Sequence, residues 1–194
     1  SLAGMFLGPH GLLAKSWYWL GHQGWEYVEL GKIWQIILGI VFIIWAVTIY
    51  RGIKPVLKVK QPWALPNWLI YTTFSIILLL ISGFIATPNT NFVIADFWRW
   101  MVVHMWAEAF FEVFTTVLIG YFMVLMGLIN KQAAIRVIYL ATLLFLGSGL
   151  LGISHNFYWN AKPVGTMALG AVFSTLQVVP LVLLTLEAWR FSKL

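Results

Sequence analysis

Three ionisable residues recur at a spacing of four in one apolar stretch of the chain: His104, Glu108 and Glu112. Residues four apart lie on one face of a helix, so these side chains should form a single polar stripe. Ionisable groups inside a membrane are costly and typically serve as metal ligands or proton carriers. Imidazole suits iron, copper or zinc, and a neighbouring carboxylate favours iron over copper. The spacing therefore predicts a metal site or a proton path, with hydrogen bonds that hold helices together as the alternative.

Two further polar residues should lie at a similar depth. His155 follows the next apolar stretch, and Gln177 lies near the middle of the last one. Because successive spans run antiparallel, His155 can face His104, and Gln177 can lie about as deep as Glu112. The alternatives are a loop histidine at His155 and an interhelical hydrogen bond at Gln177.

The elements that must position these residues are membrane helices. The 194 residues are 61% hydrophobic and only 9% charged, whereas soluble domains are about 25% charged. Twelve Trp and fourteen Phe suit aromatic belts at the two membrane surfaces. The composition predicts an all-α integral membrane protein embedded in a lipid bilayer. Five stretches are long enough to cross it: roughly 33–50, 68–87, 101–129, 135–154 and 165–189.

Lysine and arginine are concentrated on one side of these spans, in 51–67, in 130–136 and at the C-terminus. The richer side should face the cytoplasm, which places the end with the metal site toward the periplasm of a bacterial cytoplasmic membrane. This orientation signal accounts for the net charge of +6, so no nucleic-acid partner is expected. Cysteine is absent, which excludes disulfides and thiolate metal sites within the chain.

The stretch GSGLLG at 147–152 matches the letters of a dinucleotide-binding fingerprint. It follows no predicted strand and lies inside a membrane span, so it predicts close packing of helices through small residues instead.

Four longer motifs resemble one known family. DFWRWMVVHMWAEAFFEVF resembles the signature helix of the nitric oxide reductase branch of the haem–copper oxidase superfamily. GHQGWEYVELGKIWQ resembles a segment of its quinol-dependent members, and GISHNFYWNAKP and ALGAVFSTLQVVPL follow in the family's order. The resemblance covers essentially the whole chain. It implies part of a larger helical bundle that contains haem b, haem b3 and a non-haem metal, which is iron in this family.

The resemblance also implies roles for the polar residues. His104 and His155 match ligands of the non-haem iron, and Glu108 matches a glutamate beside or bound to it. Glu112 matches a glutamate linked to proton supply. The haem-ligating histidines lie outside these motifs, so residues 1–194 are expected to be a fragment of one polytopic catalytic domain. The fragment would be inactive without the remainder of its chain.

Two residues depart from the family pattern. Asn156 stands where the family has a second histidine, and Gln177 stands where the reductases have a glutamate. An amide is a poor metal ligand and cannot carry a proton. The pair resembles relatives proposed as nitric oxide dismutases, which convert two NO into N2 and O2. His22 and Glu26 match quinol-binding residues, so a quinol-dependent reductase that forms N2O is the alternative; a proton-conducting or structural membrane subunit is a third hypothesis.

Overall fold

The computed structural model describes residues 17–20, 31–58, 60–87, 89–152 and 163–191. These residues form helices, turns and connections, and no β-strand occurs among them. The all-α fold predicted from composition is confirmed. The α-helices are α1 Trp17–Leu20, α2 Lys32–Ile53, α3 Leu65–Ile81, α4 Phe92–Val103, α5 Thr115–Leu125, α6 Lys131–Gly152, α7 Val164–Leu176 and α8 Val179–Phe191. A π-helix, His104–Phe114, joins α4 to α5 and is called the π segment below.

Four helical stretches in the described ranges are long and apolar enough to cross a membrane: Lys32–Val56, Leu65–Phe84, Glu108–Leu125 and Val164–Arg190. They coincide with four of the five predicted spans. The fifth predicted span, 135–154, falls on α6 and extends past Gly152, beyond the described residues. Large apolar side chains on the outside, such as Ile44 and Phe74, are more than half exposed, as expected where a surface faces lipid or other helices.

Short polar connections join the helices at one end of the bundle. The Asn67 side chain donates hydrogen bonds to the carbonyl oxygens of Lys58, Gln61 and Pro62, and so fixes the connection before α3. Asn130 accepts a hydrogen bond from the Ala133 N–H at the start of α6. We call this end of the bundle the lysine-rich end. It comprises the 54–64 connection, the 126–130 turn and the end of α8.

The core forms where α3 and α6 pack against the π segment and α5. Ile76, Val117 and Ile138 are completely buried there. α6 also packs against α7, where a Cβ at Gly147 would lie 2.6 Å from the ring of Phe173. Only glycine permits this approach, so the close packing predicted for the GSGLLG stretch is found at its first residue.

Candidate functional site

The three residues of the predicted polar stripe all belong to the π segment. The helix that begins at Phe92 changes from α to π at His104 and returns to α at Thr115. The Thr115 hydroxyl donates to the carbonyl oxygen of Phe110, five residues earlier, at 3.1 Å. π-Helices are rare, usually occupy a single turn, and are frequent at functional sites. Here the π conformation lasts for 11 residues and coincides with the residues whose chemistry the sequence singled out.

The sequence predicted an α-helix at this position, and the structure corrects the helix type. A spacing of four is compatible with either conformation, because residues four apart lie on adjacent turns in both. Part of the support for the π segment comes from aromatic packing. Phe110 and Phe114 stack with ring centroids 5.6 Å apart, and Trp45 of α2 packs against both rings.

Glu108 and Glu112 lie one turn apart at the start of a helical stretch that is long and apolar enough to cross a membrane. Glu108 is only 7% exposed. Glu112 is half-buried, and its Oε1 atom is fully buried without a hydrogen-bond partner among the residues that the structure describes. An unsatisfied carboxyl oxygen in an apolar interior is costly, which argues that the position serves chemistry rather than packing.

One cavity brings Glu112 together with Gln177. Its volume is about 310 Å³, and Thr116 is the third polar residue that lines it. Phe111, Val178 and Leu181 form its apolar walls. The π segment and the α7–α8 junction thus present a carboxylic acid, a hydroxyl and an amide to one small volume. The similar depth inferred for Glu112 and Gln177 from the sequence corresponds to this shared cavity.

Gln177 lies at a break in the last membrane-crossing stretch. α7 ends at Leu176 and α8 begins at Val179, with Gln177 and Val178 in a turn between them. Pro180 has no N–H, so it cannot donate to the carbonyl oxygen of Leu176 as a helix interior would require. The Gln177 N–H instead donates to the Ser174 carbonyl oxygen at 3.3 Å. The proline therefore explains why the helix opens beside the cavity.

Some of the predicted site residues belong to the described part of the chain and others do not. His104 is the first residue of the π segment, whereas His22, Glu26, His155 and Asn156 lie outside the described residues. Within the described ranges, no group of three or more His, Cys, Asp or Glu side chains forms a metal cluster. The carboxyl groups of Glu108 and Glu112 supply hard oxygen donors there, which fit iron better than a metal that prefers sulfur ligands.

Two polar residues of the structure, Thr116 and Lys32, were not predicted from the sequence. Thr116 continues the spacing of four after Glu112, and this signal could have identified it. Lys32 begins α2, is 5% exposed, and donates to the carbonyl oxygen of Gly83 at 2.7 Å. It also donates to Gln35 of the same helix at 3.3 Å. The bond to Gly83 connects the start of α2 to the turn that follows α3.

The comparisons with known proteins agree with this architecture. Residues 1–193 match the sequence model of the family described as Cytochrome C and Quinol oxidase polypeptide I. The chain therefore belongs to this family of haem–copper membrane oxidoreductases. Among curated proteins, a nitric oxide reductase subunit of Stutzerimonas stutzeri is 25% identical over 92 residues. That match covers 47% of this chain and 19% of the relative's length.

Proposed function

We propose that the protein to which this chain belongs is a nitric oxide dismutase, which converts two NO into N2 and O2. The observation that carries the proposal is the cavity shared by Glu112 and Gln177. In the reductases that the sequence resembles, a second carboxylic acid stands at the position of Gln177. The amide can donate and accept hydrogen bonds, but it cannot deliver a proton or carry a negative charge.

The balance of the two reactions connects this cavity to dismutation. Reduction of two NO to N2O and water consumes two electrons and two protons, so a second protonatable group near the reacting molecules is useful. Conversion of two NO to N2 and O2 consumes no electrons and no protons in net terms. Gln177 replaces a carboxylic acid and Asn156 replaces an imidazole. Both replacements should slow dismutation little.

The proposed cofactors are a non-haem iron with haem b and haem b3. His104, His155 and Glu108 would hold the iron, and the remainder of the chain would hold the haems. When bound, these metals supply the redox-active centre at which NO reacts.

The chain's own residues then act around that centre. Glu108 contributes a buried anionic oxygen, and Glu112 holds a proton or compensates charge at its Oε1, which has no partner within the described part of the chain. Gln177 offers hydrogen bonds to the cavity without exchanging a proton. Phe111, Val178 and Leu181 surround these groups with apolar surface, which suits a small, weakly polar substrate such as NO.

A quinol-dependent nitric oxide reductase is the second candidate. It is favoured by His22 and Glu26, which match quinol-binding residues in the sequence, and by the name of the Stutzerimonas relative. In this case Gln177 and Asn156 would be tolerated changes, and the protein would bind quinol at its periplasmic end. In both cases we place the protein in the bacterial cytoplasmic membrane with its metal site toward the periplasm.

Labelled NO distinguishes the two candidates. Membranes that contain the full-length protein are supplied with 15N-labelled NO in the absence of oxygen, and the gases are followed by mass spectrometry. Labelled N2 and O2 in equal amounts without added reductant support dismutation. Labelled N2O that depends on added quinol would instead establish the reductase.

A further inference from the structure

Lys32, the first residue of α2, is a buried lysine that the proposed nitric oxide chemistry does not use. Its side chain is 5% exposed. An ammonium group that leaves water is costly unless other groups accept its hydrogen bonds. The Lys32 ammonium donates to the carbonyl oxygen of Gly83 at 2.7 Å and to Oε1 of Gln35 at 3.3 Å. It also lies 5.5 Å from the centre of the Phe84 ring. Lys32 therefore connects α2 to the turn Ser82–Phe84, which follows α3.

The Ser82–Phe84 turn lies directly against α4. Gly83 is buried, and a Cβ atom added to it would lie 3.3 Å from Cγ2 of Val102 and 3.8 Å from Oε1 of Gln35. The first distance is shorter than an ordinary contact between carbon atoms, so glycine allows the turn to approach Val102 this closely. The turn is thus held between α2, through Lys32, and α4, through Val102.

Val102 lies at the end of α4, directly before the π segment. It is 6% exposed, and His104, the first residue of the π segment, follows two positions later. π-Helices are rare and usually span a single turn, so the surrounding packing must determine where an 11-residue π-helix begins. The contact between Val102 and the turn supplies a fixed point next to that boundary.

We propose that Lys32 is a positioning residue for the start of the π segment, and therefore for the predicted metal ligand His104. The bond from Lys32 to Gly83 fixes the turn, and the turn fixes the end of α4 at Val102. These contacts set the backbone position at which the α-helix changes to the π-helix. The role of His104 as a ligand rests on the proposed function, whereas the coupling of Lys32 to the π segment does not.

Hydrogen–deuterium exchange of the purified full-length protein in lipid nanodiscs tests this coupling without NO turnover. Lys32→Met keeps a long side chain but removes the amine. We expect the amides of residues 102–108 to exchange about tenfold faster, because a hydrogen bond to a charged group is lost. The amides of residues 67–76 in α3 should exchange at an unchanged rate. Lys54→Met, at an exposed lysine directly after the other end of α2, is the control and should change neither region.

A double-mutant cycle shows whether Lys32 acts through the turn. Val102→Ala removes the contact with the turn and should speed exchange of the same amides. The double variant should be no faster than the faster single variant, because residues that act through one element are not additive. Val117→Ala, at a completely buried valine of α5, is the matched control, and its effect should add to that of Lys32→Met. Lys32→Gln takes the place of Lys32→Met if the latter does not fold, since the shorter amide loses the bond to Gly83 but remains polar.

Retention of the non-haem iron gives a second readout. Its loss to a chelator is followed as total iron, from elemental mass spectrometry, minus haem iron, from absorbance. Lys32→Met should lose this iron about tenfold faster, as is typical when the outer support of a metal ligand is removed. Faster exchange at 102–108 with unchanged iron loss would support the role of Lys32 and count against His104 as a ligand, which belongs to the proposed function. Unchanged exchange at 102–108, a uniform increase over all helices, or additive effects of Lys32→Met and Val102→Ala would overturn the proposal.

Discussion

Glu108 and Glu112 have different surroundings although they lie one turn apart in the π segment. Glu108 is almost completely buried, whereas Glu112 lines a cavity and leaves one carboxyl oxygen without a partner in the described part of the chain. Two carboxyl groups held close together in an apolar interior repel each other when both are ionised. For the proposed function we therefore expect a division of roles, in which Glu108 binds the metal as an anion and Glu112 exchanges or holds a proton.

Amide variants should separate these two roles. We expect Glu108→Gln to lower the iron content of the purified protein, because a neutral amide replaces an anionic ligand. Glu112→Gln should retain iron and, because dismutation consumes no protons in net terms, should slow NO consumption without added reductant only about two- to threefold. Quinol-driven formation of N2O by a reductase would instead slow about 100-fold, the typical loss when a proton-transferring group is removed. Iron is measured by elemental mass spectrometry and NO by an electrode.

The control for both variants is Glu187→Gln in α8, a half-buried carboxyl group that does not line the cavity. This variant should change neither the iron content of the protein nor its rate of NO consumption. Loss of iron from Glu112→Gln to the same extent as from Glu108→Gln would show that both carboxyl groups are metal ligands.

Gln177→Glu should shift the products toward those of a reductase. The variant returns a second carboxylic acid to the cavity that Glu112 lines, and so restores a group that can hold a proton. We expect the yield of O2 from labelled NO to fall about tenfold, with N2O in its place when reductant is present. Gln132→Glu, on the exposed start of α6, is the control. An unchanged O2 yield in Gln177→Glu would show that dismutation does not depend on the amide of Gln177.

At the scale of helices, the π segment shows what a sequence pattern could and could not predict. The spacing of His104, Glu108 and Glu112 predicted a polar stripe on one helix, and hydropathy predicted four spans that coincide with long apolar helical stretches of the structure. The same spacing could not distinguish an α-helix from a π-helix. The spacing also could not show that Lys32 is buried. Its hydrogen-bond partner is the backbone carbonyl of Gly83, 51 residues away. Every residue type has a backbone carbonyl, so such a partner cannot be identified from a sequence pattern.

The contact between α6 and α7 gives a prediction about stability. Gly147→Ala would place a methyl group 2.6 Å from the ring of Phe173, so the helices must separate or the ring must move. We expect a loss of about 1–3 kcal/mol in the free energy of unfolding, which is typical of overpacking. Thermal unfolding in nanodiscs measures this loss.

Gly165→Ala, in the same helix as Phe173, is the matched control because its added methyl group would meet no atom within 4 Å. It should leave the unfolding temperature almost unchanged. Adding Phe173→Leu to Gly147→Ala should recover part of the lost stability, since the smaller side chain relieves the contact. If Gly147→Ala unfolds at the same temperature as Gly165→Ala, the two helices do not pack this closely.

At the scale of the whole molecule, the bundle has two chemically different ends. The connections 54–64 and 126–130 and the end of α8 share one end with most of the lysine and arginine residues. The π segment begins nearer the opposite end, because α4 enters from there and only α5 separates Phe114 from the lysine-rich end. The distribution of positive charge and the position of the polar site are thus coupled, and the orientation of one determines that of the other.

Single cysteines can test this orientation because the 194 residues contain none. Gln61→Cys places a thiol on an exposed residue at the lysine-rich end, and Asn89→Cys places one on an exposed residue at the opposite end. Any cysteine elsewhere in the parent protein is replaced by serine.

In intact spheroplasts, a membrane-impermeant maleimide should label Asn89→Cys at least about tenfold faster than Gln61→Cys, because positively charged connections remain in the cytoplasm. Labelling should become similar once the membrane is opened. Faster labelling of Gln61→Cys in intact spheroplasts would show that the polar site faces the cytoplasm. Glu112 would then receive protons from the cytoplasm rather than from the periplasm.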